Sequence, residues 1–206
     1  MGKSYNNVIK LSELFSGTHP ILEQAYAPST VRFFILQSQY RSTLDFSNEA
    51  LQASEKALRR LMDAYEWLMG FNGNGAEVAA DKALDEKVIK LVNEFNEFMN
   101  DDINTAKVIA NMFELVPVIN SIKDKHIAEN ALSSSTIHLV KKQMQAFIID
   151  IFGLQTSKAD NNDKLDGVLQ LLINIRKAAK TKKDFVTSDT IRNELAALGV
   201  QIKDEK

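Results

Sequence analysis

The residues with the plainest chemical potential stand at the beginning of the chain, where Gly2, Lys3 and Ser4 follow Met1. A lysine ammonium is a mobile positive charge that can follow phosphate oxygens during nucleotidyl transfer, and small neighbours leave the backbone accessible. The run lacks the upstream glycine and the preceding strand of a P-loop. On spacing alone, a polar chain start that binds nothing is the simpler explanation.

A second candidate site is a basic run close to the C-terminus. Residues 176–183 carry five basic side chains and no acidic one, and a further arginine follows: Arg176, Lys177, Lys180, Lys182, Lys183 and Arg192. Such charges can contact phosphates. Lysines also favour helix C-termini because of the helix dipole, so a solvated helix end is the alternative.

The other conspicuous side chains favour structural roles. Asp101 and Asp102 could hold a metal as paired carboxylates, but their position ahead of Asn104 favours helix capping. Trp67 is better explained as a packing residue than as a base-stacking platform. The three histidines lack metal-ligand spacing, and the absence of cysteine removes thiolate sites. We therefore expect no metal site in this chain.

The composition is that of a helical protein free in water. The 206 residues include 45% apolar and 25% charged residues, with only three prolines and eight glycines. No apolar run approaches the roughly 18 residues that span a bilayer, which predicts a cytoplasmic location and no membrane partner. A net charge of −2 argues against coating nucleic acid by bulk charge, although a local basic face remains possible.

Periodicity and capping signals predict an all-α fold, an antiparallel helical bundle followed by a small helix pair that carries a short strand at 200–203. Pro20 and Pro28 suit first helical turns, Pro117 should kink or split its helix, and Thr181 to Asp184 should form a capping box. The helices are expected at 12–15, 29–40, 47–69, 77–100, 105–125, 134–152, 165–179 and 182–198.

The same signals divide the chain into four parts. Residues 1–27 form a loop with connecting helices, and residues 28–153 form the bundle. Residues 154–164 are polar and rich in helix breakers, which is typical of a linker. Residues 165–206 form a small C-terminal unit.

Five blocks in the same order resemble the back half of cysteinyl-tRNA synthetase, a class I aminoacyl-tRNA synthetase. They lie at 5–9, 31–36, 40–47, 98–105 and 182–200, and so cover nearly the whole chain. The fourth block contains the Asp-Asp-x-Asn-Thr turn of that family. The last resembles its C-terminal helix pair.

The resemblance gives both candidate sites a role. Met1 to Ser4 is similar to the end of the family's Lys-Met-Ser-Lys-Ser loop, with Gly2 in place of a serine, and it implies that Lys3 contacts ATP phosphates. Thr43 also departs from the family, where proline is frequent. The C-terminal unit approaches the tRNA anticodon in the family, so the basic run is expected to contact tRNA phosphates.

The resemblance further implies a fragment of a cysteine–tRNA ligase, a monomer that binds cysteine-specific tRNA and no DNA. The catalytic domain, with its zinc, would precede the chain in cis, so this fragment is expected to be inactive alone. Two alternatives remain: a stand-alone helical protein-interaction module with a fortuitous loop, and a related ligase that activates cysteine for a small molecule.

Overall fold

Helices account for all the regular structure that the computed structural model describes, at residues 8–73, 76–155, 159–181 and 184–197. The prediction of an all-α fold is confirmed for these residues, and the strand expected at 200–203 lies outside them. The chain divides into two compact units, Met1–Thr156 and Ser157–Lys206. The first contains α1 (Leu11–Ser16), α2 (Pro28–Leu36), α3 (Asn48–Gly70), α4 (Lys82–Asn100), α5 (Thr105–Lys123) and α6 (Ser134–Gln145), and the second contains α7 (Ala159–Thr181) and α8 (Phe185–Ala197).

Side-chain caps fix where the long helices of the first unit begin. Ser47, Asp81, Asn104 and Ser133 each accept a hydrogen bond from the backbone N–H three residues further on, at 3.0–3.2 Å. Each bond satisfies an N–H group that the helix itself leaves without a partner. The caps at Ser47 and Asn104 agree with the helix starts expected at residues 47 and 105. The cap at Asp81 explains why α4 begins at Lys82 and not at residue 77.

Of the three proline predictions, the one for Pro28 is confirmed and the one for Pro20 is wrong. Pro28 occupies the first turn of α2 as expected. Pro20 lies in turns between α1 and α2, where no helix forms. Pro117 does not split α5, which runs unbroken from Thr105 to Lys123. A proline costs one backbone hydrogen bond, and the apolar residues that α5 buries along its length outweigh that loss.

The main core lies among α3, α4, α5 and α6. Phe95 of α4 meets Phe147 edge to face, with ring centroids 5.2 Å apart. Phe147 belongs to a π-helical turn, Ala146–Ile151, that continues α6. Trp67 stacks on Phe71 at 4.9 Å against this core, in agreement with a packing role.

A smaller core joins the N-terminal helices. Leu14 of α1, Tyr26, Phe34 of α2 and Leu51 of α3 are buried together. Gly17 ends α1 with φ of 68°, a left-handed conformation that favours glycine. The chain turns there, and the segment that follows contributes Tyr26 to this core.

Hydrogen bonds to Asp102 join the segment that follows α2 to the turn between α4 and α5. Its carboxylate accepts hydrogen bonds from the Tyr40 hydroxyl at 2.8 Å, and from the Gln39 amide and the Arg41 guanidinium, each at 3.1 Å. We call these four residues the Asp102 junction. The expectation that Asp102 caps a helix is therefore wrong. The neighbouring Asn104 provides the cap, and the left-handed backbone of Asp102, with φ of 60°, directs its carboxylate elsewhere.

We predict that Gly17→Ala destabilises the chain by about 2 kcal/mol, because alanine disfavours a positive φ. Its Cβ would also lie 2.6 Å from the Ala25 backbone nitrogen. Gly70→Ala is the matched control, since a Cβ there meets no atom within 4 Å and α3 gains a better helix former. Urea denaturation should show a lower midpoint for the first variant and an equal or higher one for the second. Equal losses in both would contradict the role given to Gly17.

We also predict that Asp102→Ala lowers the pKa of Tyr40. The hydrogen bond that the neutral phenol donates to Asp102 raises this pKa above its ordinary value, and the Arg41 hydrogen bond opposes that effect. Without the carboxylate, the tyrosine should ionise at a lower pH. Absorbance at 295 nm follows the titration, and Tyr40→Phe identifies its share of the signal.

Asp101→Ala is the control for this titration. Asp101 pairs with Lys107 at 3.8 Å and does not hydrogen-bond to Tyr40. The titration of Tyr40 should therefore stay close to that of the unchanged protein. A shift of the same size in both variants would contradict the Asp102 junction.

Candidate functional site

The four residues proposed from the ATP loop, Met1, Gly2, Lys3 and Ser4, lie outside the described residues. The nearest described segment begins at Val8 and enters α1.

The basic run lies on the helix pair of the second unit. α7 begins at Ala159, six residues earlier than predicted, and extends to Thr181. The predicted capping box is wrong, because the Thr181 hydroxyl donates back to the Lys177 carbonyl within α7 at 3.0 Å. Asp184 caps α8 instead, accepting from the Thr187 backbone N–H at 3.1 Å. Hydrogen bonds from Thr187 lower the pKa of Asp184, so this cap is intact at neutral pH and weakens only in acid.

The described members of the basic run differ in exposure. Lys177 and Lys180 are exposed and lie three residues apart on α7, so they share one face. We call this pair the α7 basic face. Arg192 is also exposed, and Asp189 one turn earlier pairs with it at 3.3 Å, which offsets part of its charge. Lys182 and Lys183 lie outside the described residues.

Arg176 is placed differently from its neighbours, because only 4% of its surface is exposed. Ser188 of α8 is buried as well. A buried guanidinium carries its charge into the protein and cannot reach far into solvent. Among the predicted residues that are described, the α7 basic face and Arg192 are the ones that an external phosphate can approach.

The structure contains a second basic surface that the sequence analysis missed. A groove of about 400 Å³ lies between α3 and the C-terminal end of α5. We call it the basic groove. Its lining consists of four cations, two carboxylates and an amide: Lys56, Arg59, Arg60, Lys123, Asp63, Asp124 and Asn120. The signal for it was the spacing of residues 56, 59, 60 and 63, which places four charged side chains on one face of a helix.

Other parts of the described chain offer less to a ligand. An apolar cavity of about 20 Å³ beside Trp67 is lined by core residues such as Val88 and Leu115, and is too small for more than a water molecule. Among the described residues, no three histidine, aspartate or glutamate side chains cluster closely enough to hold a metal ion. No helix described in the structure is both long and apolar enough to cross a membrane.

Comparison with known proteins finds a matching domain model and relatives that are similar along the whole chain. A family model for the DALR domain matches residues 94–156, which run from the end of α4 past the π-helical turn. Cysteine–tRNA ligases match the entire chain: that of Parabacteroides distasonis is 45% identical, that of Bacteroides thetaiotaomicron 47% and that of Cytophaga hutchinsonii 39%.

In each comparison the chain spans about 40% of the length of the curated relative, 40% for the first and 41% for the other two. All 206 residues of the chain are included. With identities of 39–47% along its full length, the chain is similar to one part of the cysteine–tRNA ligases.

Proposed function

We propose that this chain is the tRNA-binding part of a cysteine–tRNA ligase, an enzyme that uses ATP to join cysteine to its tRNA through a cysteinyl adenylate. The observation that carries the proposal is the identity to cysteine–tRNA ligases over the whole chain. The enzyme would act in the cytoplasm as a monomer.

The architecture of the first unit supports a role in holding RNA. The DALR segment, residues 94–156, contributes buried residues such as Phe95, Met112 and Phe147 to the main core. Its helices are therefore held rigidly by their apolar faces, and their outer faces are free to position an anticodon stem and loop. A rigid helical surface orients a large ligand with little loss of conformational entropy on binding.

The basic residues of the second unit would provide phosphate contacts. In this proposal the α7 basic face, Lys182, Lys183 and Arg192 bind the tRNA backbone, while the buried Arg176 supports them from within the helix pair. Phosphate contacts of this kind fix the position of the RNA and add affinity, but they do not select bases.

The start of the chain would serve the chemical step. Lys3 would contact ATP phosphates as the adenylate forms, and the catalytic residues and the zinc would belong to a domain in the rest of the enzyme. Because this proposal assigns those parts to the rest of the enzyme, the chain alone should bind tRNA without activating cysteine.

We predict that the 206-residue chain binds cysteine tRNA with a strong dependence on salt, and that Lys177→Gln with Lys180→Gln weakens binding roughly tenfold at low salt. Each lost phosphate contact reduces the slope of log K against log salt by about 0.7–0.9. Fluorescence anisotropy of labelled tRNA at several KCl concentrations measures both quantities. Lys182→Gln with Lys183→Gln should act in the same direction.

Lys87→Gln with Lys90→Gln is the control for charge. These two lysines of α4 are exposed, and each lies within 4.0 Å of a glutamate, Glu114 or Glu94. The control substitutions therefore remove two positive charges that are already paired with carboxylates. The tRNA affinity and the salt slope of this control variant should equal those of the unchanged chain. No tRNA binding by the unchanged chain, even at low salt, would overturn the proposed function.

We further predict that the chain alone shows no ATP–pyrophosphate exchange with cysteine. When it is joined to the preceding part of the Bacteroides thetaiotaomicron relative, exchange should appear, and Lys3→Ala in that chimera should lower the rate by about a hundredfold. Exchange of labelled pyrophosphate measures both. Activity of the chain alone would contradict its assignment as a part of the enzyme, and an unaffected Lys3→Ala chimera would contradict the ATP contact.

A further inference from the structure

We propose that the basic groove between α3 and α5 binds the sugar–phosphate backbone of RNA. This surface lies in the first unit, and its residues are different from the basic run of the second unit. The inference rests on the proposed function for the identity of the RNA, a tRNA.

The cations of the groove are arranged to receive an extended anion. Lys56, Arg59 and Arg60 are exposed on one face of α3, and Lys123 faces the same groove from the end of α5. Residues 56 and 60 are separated by about 6 Å along the helix axis, at a rise of 1.5 Å per residue. Charges spread over that length suit a chain of phosphates better than one small ion.

Three of the four cations that line the groove have no ion-pair partner among the described residues. No carboxylate of the described residues forms an ion pair with Lys56, Arg60 or Lys123, whereas cations elsewhere on the unit do pair, as Lys87 does with Glu114. Uncompensated cations attract counterions, and their release on phosphate binding favours association at low salt.

The polar groups between the cations favour RNA over DNA. Asp63 and Asp124 line the groove, and their carboxylates can accept hydrogen bonds from ribose 2′-hydroxyl groups. The Asn120 amide can donate as well as accept. With four cations against two carboxylates, the lining keeps a net charge of +2, so attraction to phosphate is retained.

The groove is rigid before anything binds. Leu58, Leu61 and Met62 of α3 and Ile119 and Ile122 of α5 are buried in one core, which fixes the two walls relative to each other.

At the C-terminal end of α5, carbonyl groups accept hydrogen bonds from the residues that follow the helix. These bonds weaken the repulsion between the helix end and a phosphate. The N–H groups of Asp124, Lys125 and His126 donate to carbonyls of residues 120–122 at 2.8–3.1 Å. Helix C-termini disfavour anions through exposed carbonyls, and satisfied carbonyls weaken that effect. Lys123 adds a positive charge at the same place.

The test is tRNA binding by the 206-residue chain carrying Lys56→Gln with Arg60→Gln, compared with Lys87→Gln with Lys90→Gln. Both variants lose two exposed cations, and all four positions are helical. Circular dichroism should show folded, equally stable proteins. We expect the groove variant to bind tRNA about tenfold more weakly at 0.1 M KCl, with the salt slope reduced by about 1.4–1.8, and the control variant to bind normally.

Lysine acetylation in the presence of tRNA adds a measurement at single residues. Bound tRNA should protect Lys56 and Lys123 from acetic anhydride, while Lys87 and Lys90 stay reactive, as read by mass spectrometry. A DNA strand of the same sequence should protect them less at equal concentration, because it lacks the 2′-hydroxyl groups.

The outcomes separate this inference from the proposed function. If tRNA binds and depends on the α7 basic face, but the groove variant binds with unchanged affinity and slope, the inference is overturned and the proposed function stands. Equal protection of all four lysines would also overturn it. If the unchanged chain binds no tRNA, both fail.

Discussion

The first unit depends on the burial of α5. Val108, Met112, Leu115 and Ile119 along this helix are almost completely buried, and α2, α3 and α4 all pack against it. The chain contains no cysteine and therefore no disulfide, and the burial of these apolar side chains stabilises the first unit. This constraint explains how a helix can contain Pro117 without breaking, since the surrounding core restrains it on several sides. It also fixes the walls of the basic groove.

Much of the fold could be predicted because its signals are local. Caps at Ser47 and Asn104, the left-handed turn at Gly17 and the apolar spacing of the long helices each depend on a few neighbouring residues. The errors arose where the outcome depends on distant contacts. The local sequence favours a cap at Asp102, whereas its actual partners, Gln39, Tyr40 and Arg41, lie about sixty residues away in sequence.

The candidate sites follow the same rule. A basic run such as residues 176–183 is visible in sequence, although the burial of Arg176 within it is a property of the fold. The basic groove combines two helices separated by about sixty residues, so no single stretch of sequence contains it. A net charge of −2 also conceals it, because charge averaged over a chain says little about one surface.

The side chain of Arg32 joins an early helix of the first unit to the end of that unit. Its guanidinium donates to the Gly153 carbonyl at 2.7 Å, across 121 residues of sequence. This bond connects α2 directly to the segment that follows the π-helical turn. A pull applied near residue 28 and near residue 154 would therefore be resisted by this bond together with the apolar contacts of Phe33 and Phe34. Arg32 thus gives the two ends of the first unit a direct mechanical connection that does not pass through the helices between them.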